Sequence, residues 1–468
     1  MARYFRKRAF DTSPEKHVCT STENALIKLT QRFHGVSRLG EVLYLQGPYI
    51  SLEQLNAAVA RLQRRHPALR SRLRAHPTNR DCFMFEEDEK LQLPIEELPR
   101  KREERNHFWL QEWPRREKDP INIGDPMAKL WLLQDPNDKD DPNGFREVVL
   151  MCEHCISDGQ SMSNAAHELL QILSDNTGHA CEQPLPWGIS MEAAIRNSLS
   201  VVNRILTLSR FFFSTIHTLI ANRLPVARVP FAEVDFDINE MDHYCHTEII
   251  HGVLSKEMTA KLLVKCRQNG VTVTSAVTSA ILAITATLIQ VRDGRDATMI
   301  FTLSADTRRR CMPPVPNHDL AYHASGIVPF SLPVSAAPKT PEDLWQLAHT
   351  YSRHTNACVN AGQILACGLF TAKVYEMSLS PIRAAYIPTF GTSSWGVLPF
   401  VEQYGPWQLI GATPFFNLLR APFPFTIVQT VNGVLTMMFG IACPLIPAST
   451  LMTIRNRCMD TLQQMIDN

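Results

Sequence analysis

Between residues 148 and 173 an unbroken apolar run, Val148-Val149-Leu150-Met151-Cys152, passes through the polar stretch Glu153 to Gly159 into Ala165, Ala166, Leu169, Leu170 and Leu173. The first run has the continuity of a strand covered on both faces, and the second has the repeat of an amphipathic helix. A strand that turns directly into a helix demands a mixed architecture, and its connecting loop presents polar side chains at the strand mouth.

The flanking sequence carries the same alternation. Ser51 and Gln54 form a capping box ahead of Leu52, Leu55, Val59 and Leu62, and the helix they predict stops at His66-Pro67. Ala128 to Gln134 and Val148 to Cys152 flank a turn-rich segment, Asp135 to Gly144, and predict a hairpin. An EF-hand reading of that segment fails, because the glycine at the sixth position puts Lys139 where the first ligand belongs.

Further on, a strand is predicted over His246 to Leu254, then a helix ended by Asn269-Gly270, a buried helix over 274–290, and a strand from Met299 to Leu303 that stops at the polar cluster Ser304 to Arg310. Thr340, Pro341 and Asp343 read as the start of a helix through His354. Asn432-Gly433 between Phe425–Val431 and Val434–Phe439 is a two-residue hairpin signal, and Leu451, Ile454, Cys458, Leu462 and Met465 share the face of a last helix. The fold class is α/β, an α+β two-layer sandwich.

With 468 residues the chain is too long for one core, since roughly 150 residues make a domain. Two lobes are expected, over 1–180 and 241–468, with the Pro- and Gly-containing segment 181–240 as linker and crossover.

Lys plus Arg (47) nearly cancels Asp plus Glu (46), which leaves no field for a polyanion and argues against nucleic acid. Twelve dispersed cysteines suit a reducing compartment, and Met1 to Lys16 lacks the apolar run of a secretory signal, so a cytoplasmic monomer is the expectation. Val271 to Gln290 is long enough to span a bilayer but carries five Thr and two Ser, which fits a buried helix better. Arg204 to Asn222, with Phe211, Phe212 and Phe213, is a candidate for peripheral contact with a membrane surface.

Chemistry concentrates in the loop after Cys152. His154 is a side chain whose ordinary pKa lets it take a proton near neutrality, as a general base must. Asp158 stands where it can cap the following helix or pair with a cation, and Gly159 permits a turn that a Cβ would forbid. Rival readings are weaker. Cys152 and Cys155 form a C-x-x-C without a second ligand pair, so no metal is expected. Gly159 to Ser163 approaches a G-x-S-x-G nucleophile elbow but has Ser163 in place of the second glycine. P-loop and Rossmann fingerprints are absent from the sequence.

His154 to Gly159, as H-x-x-x-D-G, resembles the active-site motif of the superfamily that contains condensation domains, BAHD enzymes and alcohol O-acyltransferases. Three further segments agree in order: Arg65-His66-Pro67-Ala68-Leu69-Arg70-Ser71, Asp306-Thr307-Arg308, and Gly391-Thr392-Ser393-Ser394-Trp395-Gly396. The resemblance runs from about Thr22 to Met465 and implies two chloramphenicol-acetyltransferase-like lobes with an active-site tunnel between them.

It also implies a reaction, acyl transfer from a thioester, acyl-CoA or an acyl carrier, to the hydroxyl of a small hydrophobic alcohol. His154 would act as general base without a covalent intermediate, and no cofactor is needed beyond acyl-CoA as substrate. Asp158 and Gly159 complete the motif, and Asp158 is expected to pair with Arg308 of the Asp306-Thr307-Arg308 segment. Thr392, Ser393, Ser394 and Trp395 are the oxyanion and tunnel candidates. Glu153 stands where condensation domains carry a second histidine, which favours a free-standing O-acyltransferase, while Ser394 replaces the asparagine of S-N-W-G. Amide formation from a carrier thioester, or a binding protein that kept the fold, are the alternatives.

Overall fold

The apolar run at 148–152 extends back to Phe145, and the strand Phe145–Cys152 lies between Leu39–Gln46 and Ala128–Gln134, antiparallel to both. The computed structural model describes residues 16–175, 177–221, 237–289, 297–381 and 387–467. Ala128 faces Cys152 across the predicted hairpin, so its register is set by pairing the two most apolar runs of the first half. Strand Ile95–Pro99 extends this sheet at one edge, and Gln403–Tyr404 with Trp407–Phe416 extend it at the other.

That last pairing corrects the division drawn from sequence. Residues 403–416 fall inside the expected second lobe, yet Trp407–Phe416 pairs with Leu39–Gln46 and completes the sheet of the first. Such pairing joins residues more than three hundred positions apart, which no local pattern encodes. The segment 181–240, expected as a linker, holds the helices Met191–Ser198 and Val201–Ala221. Its residues 222–236 lie outside the described residues, as does the amino-terminal stretch 1–15.

The second sheet runs Ala324–Gly326, Thr298–Asp306, Phe390–Val397, Phe425–Val431, Val434–Cys443, His246–Leu254. Phe390–Val397 is parallel to both of its neighbours, and the crossover from Thr298–Asp306 is made by the helices Pro341–Asn360 and Gln363–Ser378. Asn432 and Gly433 have φ of 50° and 81°, as a tight hairpin turn requires. Helix Val273–Leu288 packs against this sheet with Ala276, Val277, Ala280 and Ile281 in its core, and its threonines and serines sit largely inside. Among the described residues no single helix is long and apolar enough to cross a membrane. A small sheet of Lys16–Val18, Phe83–Glu87 and Ser71–Ala75 stands apart.

The two large sheets are joined by a buried polar contact. Glu41 of Leu39–Gln46 is fully buried; Gln429 of Phe425–Val431 donates to its Oε1 at 2.7 Å, and Ser163 Oγ lies 3.0 Å from its Oε2. Ser163 also donates to the Gly159 carbonyl at 2.7 Å, and a hydroxyl has one proton to give. Ser163 thus divides one proton between the Gly159 carbonyl and Glu41, and burial outweighs the hydrogen bonds from Gln429 and Ser163 to push the Glu41 pKa from 4.5 up to about 7.

A carboxyl raised in the folded state holds a proton that the unfolded chain releases between those values, so its contribution to stability is lost as pH rises through 4.5 to 7. Glu41→Gln preserves both contacts in neutral form. Its melting temperature should exceed that of wild type at pH 8 by more than at pH 5. Thermal melts at the two pH values decide the point, and equal differences would contradict the buried neutral carboxyl.

Candidate active site

At the end of Phe145–Cys152 the chain makes one tight turn before the helix Gly159–Leu173. Ile156 N–H donates to the Glu153 carbonyl at 3.1 Å, and Ser157 Oγ donates to the same carbonyl at 3.1 Å. His154 Nδ1 donates to the Ser157 carbonyl at 2.8 Å, because a carbonyl can only accept. The tautomer is thereby decided: Nε2 is the basic nitrogen and has no hydrogen-bond partner among the described residues. Burial lowers the imidazole pKa below its ordinary 6.5 despite the Ser157 carbonyl and Asp158, so the ring is neutral at physiological pH.

Asp158 does both things its position suggests. Oδ1 caps the helix, accepting from Ser161 N–H at 3.0 Å, while Oδ2 accepts from Arg308 Nη1 at 2.6 Å and from His323 N–H at 2.7 Å. Arg308 has no exposed surface and also reaches Asp306 Oδ1 at 3.1 Å and the Ala321 carbonyl at 2.7 Å. Burial alone would raise the Asp158 carboxyl, but the Arg308 charge outweighs it and holds the pKa below the usual range. Asp306, with a single guanidinium contact, is raised by burial instead. His323 stays neutral, pushed down to about 4 by burial and by Arg308; Thr307 Oγ1 lies 2.9 Å from its Nδ1, and its Nε2 donates to the Ile189 carbonyl.

A cavity of about 580 Å³ opens over His154 between the two large sheets. Leu39 and Phe416 line it from the first, Gly159 from the start of helix Gly159–Leu173, and Thr302, Ser304, Ser393 and Phe425 from the second. The edges of Tyr322 and Phe416 meet the imidazole at centroid distances of 4.9 and 5.5 Å, and Tyr322 Oη is 2.8 Å from Tyr375 Oη. The sequence reading missed Tyr322, Tyr375 and Phe416. Tyr322 lies in an irregular stretch shortly after Arg308, and Phe416 reaches the site only through the long-range pairing of Trp407–Phe416 with Leu39–Gln46.

The oxyanion and tunnel candidates divide along their strand. Side chains alternate across a sheet, so Ser393 and Trp395 line the cavity while Thr392 and Ser394 do not. Thr392 is buried with its hydroxyl unpartnered, and Ser394 Oγ accepts from Thr274 at 3.0 Å on the exposed side. Thr392 and Ser394 are thus withdrawn as oxyanion donors, leaving Ser393 with Trp395 as a wall. Gly159 also differs from expectation. It does not adopt a positive φ; instead a Cβ there would collide with the indole of Trp395, and the main-chain carbonyl of Trp395 accepts from Gln160 Nε2. The glycine serves close approach of the lobes rather than a turn.

Other singled-out residues have structural partners. Glu153 is ion-paired with buried Arg38 at 2.5 Å. His66 Nε2 lies 2.7 Å from Glu168, which Arg65 also holds, and burial notwithstanding these partners bring Glu168 down to about 2. Cys152 and Cys155 are buried thiols, the former raised to about 12 by burial. Among the described residues His34, Asp242 and His243 bring metal-ligating atoms together, but none lines the cavity and Arg420 Nη1 sits 3.6 Å from Asp242. A dication there would face that guanidinium.

Asp158→Asn leaves the buried Arg308 charge poorly compensated and should cost roughly 3–5 kcal/mol of stability. Asp158→Asn with Arg308→Met should cost clearly less than the sum of the two single changes. Denaturant unfolding of the four proteins reads the coupling, and additive losses would deny the pair its role.

Residues 248–404 match the family model described as "Phthiocerol/phthiodiolone dimycocerosyl transferase C-terminus". No curated protein sequence matches significantly. Among solved structures, polyketide synthase associated protein 5 from Mycobacterium tuberculosis superposes with a TM-score of 0.67 at 16% identity, covering 96% of this chain and 98% of that one. TRI3 trichothecene 15-O-acetyltransferase from Fusarium sporotrichioides gives 0.72 at 11% identity, with 98% and 97% covered. The first condensation domain of the calcium-dependent antibiotic synthetase gives 0.68 at 14%, with 97% of both chains covered. With its two sheets meeting over the H-x-x-x-D-G turn, the chain has the two-lobed chloramphenicol-acetyltransferase-like fold of the condensation-domain and acyltransferase superfamily.

Proposed function

We propose that this protein is an acyl-CoA-dependent O-acyltransferase that acylates the hydroxyl of a hydrophobic acceptor, with His154 as general base. One observation carries the reading: a neutral imidazole, its Nδ1 tied to the Ser157 carbonyl, borders a largely apolar cavity between the lobes with Nε2 free to accept a proton. A hydroxyl positioned there loses its proton to Nε2 as its oxygen attacks the thioester carbonyl. The tetrahedral intermediate then collapses, the C–S bond breaks, and the departing thiolate takes the proton back from the imidazolium. Charge on the carbonyl oxygen calls for a donor, and Ser393 is the hydroxyl among the sequence candidates that lines the cavity.

Asp158 and Arg308 are positioning residues here. Their pairing leaves the carboxylate committed to the helix cap, Arg308 and His323, so it orients the turn rather than receiving a proton. The pairing of Glu153 with Arg38 supports hydroxyl over amine acceptors, because the place of a second histidine is filled by a buried ion pair. The trichothecene 15-O-acetyltransferase has the same fold, which supports the oxygen acceptor.

Purified protein given acyl-CoA and a panel of hydrophobic alcohols should release free thiol, and His154→Ala should lower kcat by roughly 10²- to 10⁴-fold. Undiminished turnover in that variant, or preference for an acyl-phosphopantetheinyl carrier over acyl-CoA, would refute the respective part of the proposal. The pH profile is a separate check. A base must be unprotonated, and burial lowers the His154 pKa, so log kcat/KM should fall on the acid side with an apparent pKa below 6.5. An acid limb centred above 7 would assign it to another group.

A further inference from the structure

Helix Val201–Ala221 leaves an apolar face uncovered. Val201, Val202, Ile205, Leu206, Phe212 and Phe213 are 61%, 66%, 59%, 49%, 60% and 69% exposed. At 100° per residue these six fall within an arc of roughly 140°, with Arg204 and Arg210 at its two edges. The opposite face is used inside the molecule: Phe211 stacks on Phe370, and Ser214 Oγ accepts from Gln363 Nε2 at 3.2 Å. Both partners belong to Gln363–Ser378, which adds Phe370, Val374 and Met377 at 40%, 58% and 65% exposure. Val374 also lines the cavity above His154, so the uncovered face continues into its mouth.

Charge identifies what such a face meets. The described sequence from 193 to 221 contains no Asp or Glu and three arginines, Arg196, Arg204 and Arg210. Exposed Arg309 and Arg310 precede Met312, which is 70% exposed and whose N–H donates to Ser198 Oγ just before the helix. The exposed carboxylate of Gln363–Ser378, Glu376, is paired with Lys373. Apolar side chains flanked by guanidinium groups and free of unpaired acid fit the boundary between anionic headgroups and acyl chains.

We infer that the face formed by Val201–Ala221 and the outer side of Gln363–Ser378 docks on an anionic phospholipid bilayer, with the cavity mouth against the lipid. Docking itself does not depend on the proposed reaction. Its use rests on that reading: a hydrophobic acceptor or acyl chain dissolved in the bilayer enters past Val374 without crossing water.

The test uses the full chain and sedimented vesicles, with no substrate present. Binding to phosphatidylcholine vesicles containing phosphatidylserine should exceed binding to phosphatidylcholine alone at least tenfold and weaken as salt is raised. Phe212→Glu/Phe213→Glu and, independently, Ile205→Glu/Leu206→Glu should each lower it at least tenfold while leaving melting temperature and thiol release with a water-soluble alcohol unchanged. Absence of wild-type binding, or equal binding by both variants, overturns the inference. So does concentration-dependent dimerisation of wild type that both variants abolish, since the face would then serve a second copy of the chain. Loss of all turnover by wild type with vesicle binding intact would sink the reaction and spare the docking.

Discussion

The buried pair of Asp158 and Arg308 holds together the parts on which any chemistry here depends. One carboxylate ends the first lobe's central strand-to-helix turn, and one guanidinium follows the second lobe's strand Thr298–Asp306. Each charge in isolation would be costly away from water, and Ser161 N–H, His323 N–H and the Ala321 carbonyl add to the pairing, leaving Arg308 Nε as the buried donor without a partner among the described residues. The turn that carries His154 is thus clamped from both lobes, and the imidazole inherits its position from an ion pair it does not touch.

A second seam, Glu41 with Gln429 and Ser163, runs through the same helix Gly159–Leu173 and pairs a carboxyl with an amide and a hydroxyl where the first pairs it with a guanidinium. Trp395 against Gly159 adds a third contact between the same two lobes. These three contacts join the lobes near the start of one helix, beside the cavity they enclose. Burial lowers the His154 pKa, so the imidazole that borders this cavity is neutral at physiological pH.

Much of this is legible in the sequence. The strand into His154, the cap at Asp158, the hairpin at Asn432-Gly433 and the buried character of Val273–Leu288 follow from local periodicity and turn chemistry, and they stand as read. The pairing of Asp158 with Arg308 came from the resemblance rather than from spacing. What escaped were consequences of long-range pairing: strand Trp407–Phe416 crossing to the first sheet, Phe416 and Tyr322 beside the imidazole, and the alternation that turns Thr392 and Ser394 away.

By itself, then, the sequence determined the elements and the polar turn, because helix periodicity, caps and hairpin residues act over a few neighbours. Tertiary structure alone decided which groups share the cavity, that Nε2 and not Nδ1 is the free nitrogen of His154, and that Gly159 is small to admit an indole. Each of those outcomes turns on a partner brought near by sheet assembly or by the fold of a turn, and proximity of that kind has no signature in residue spacing.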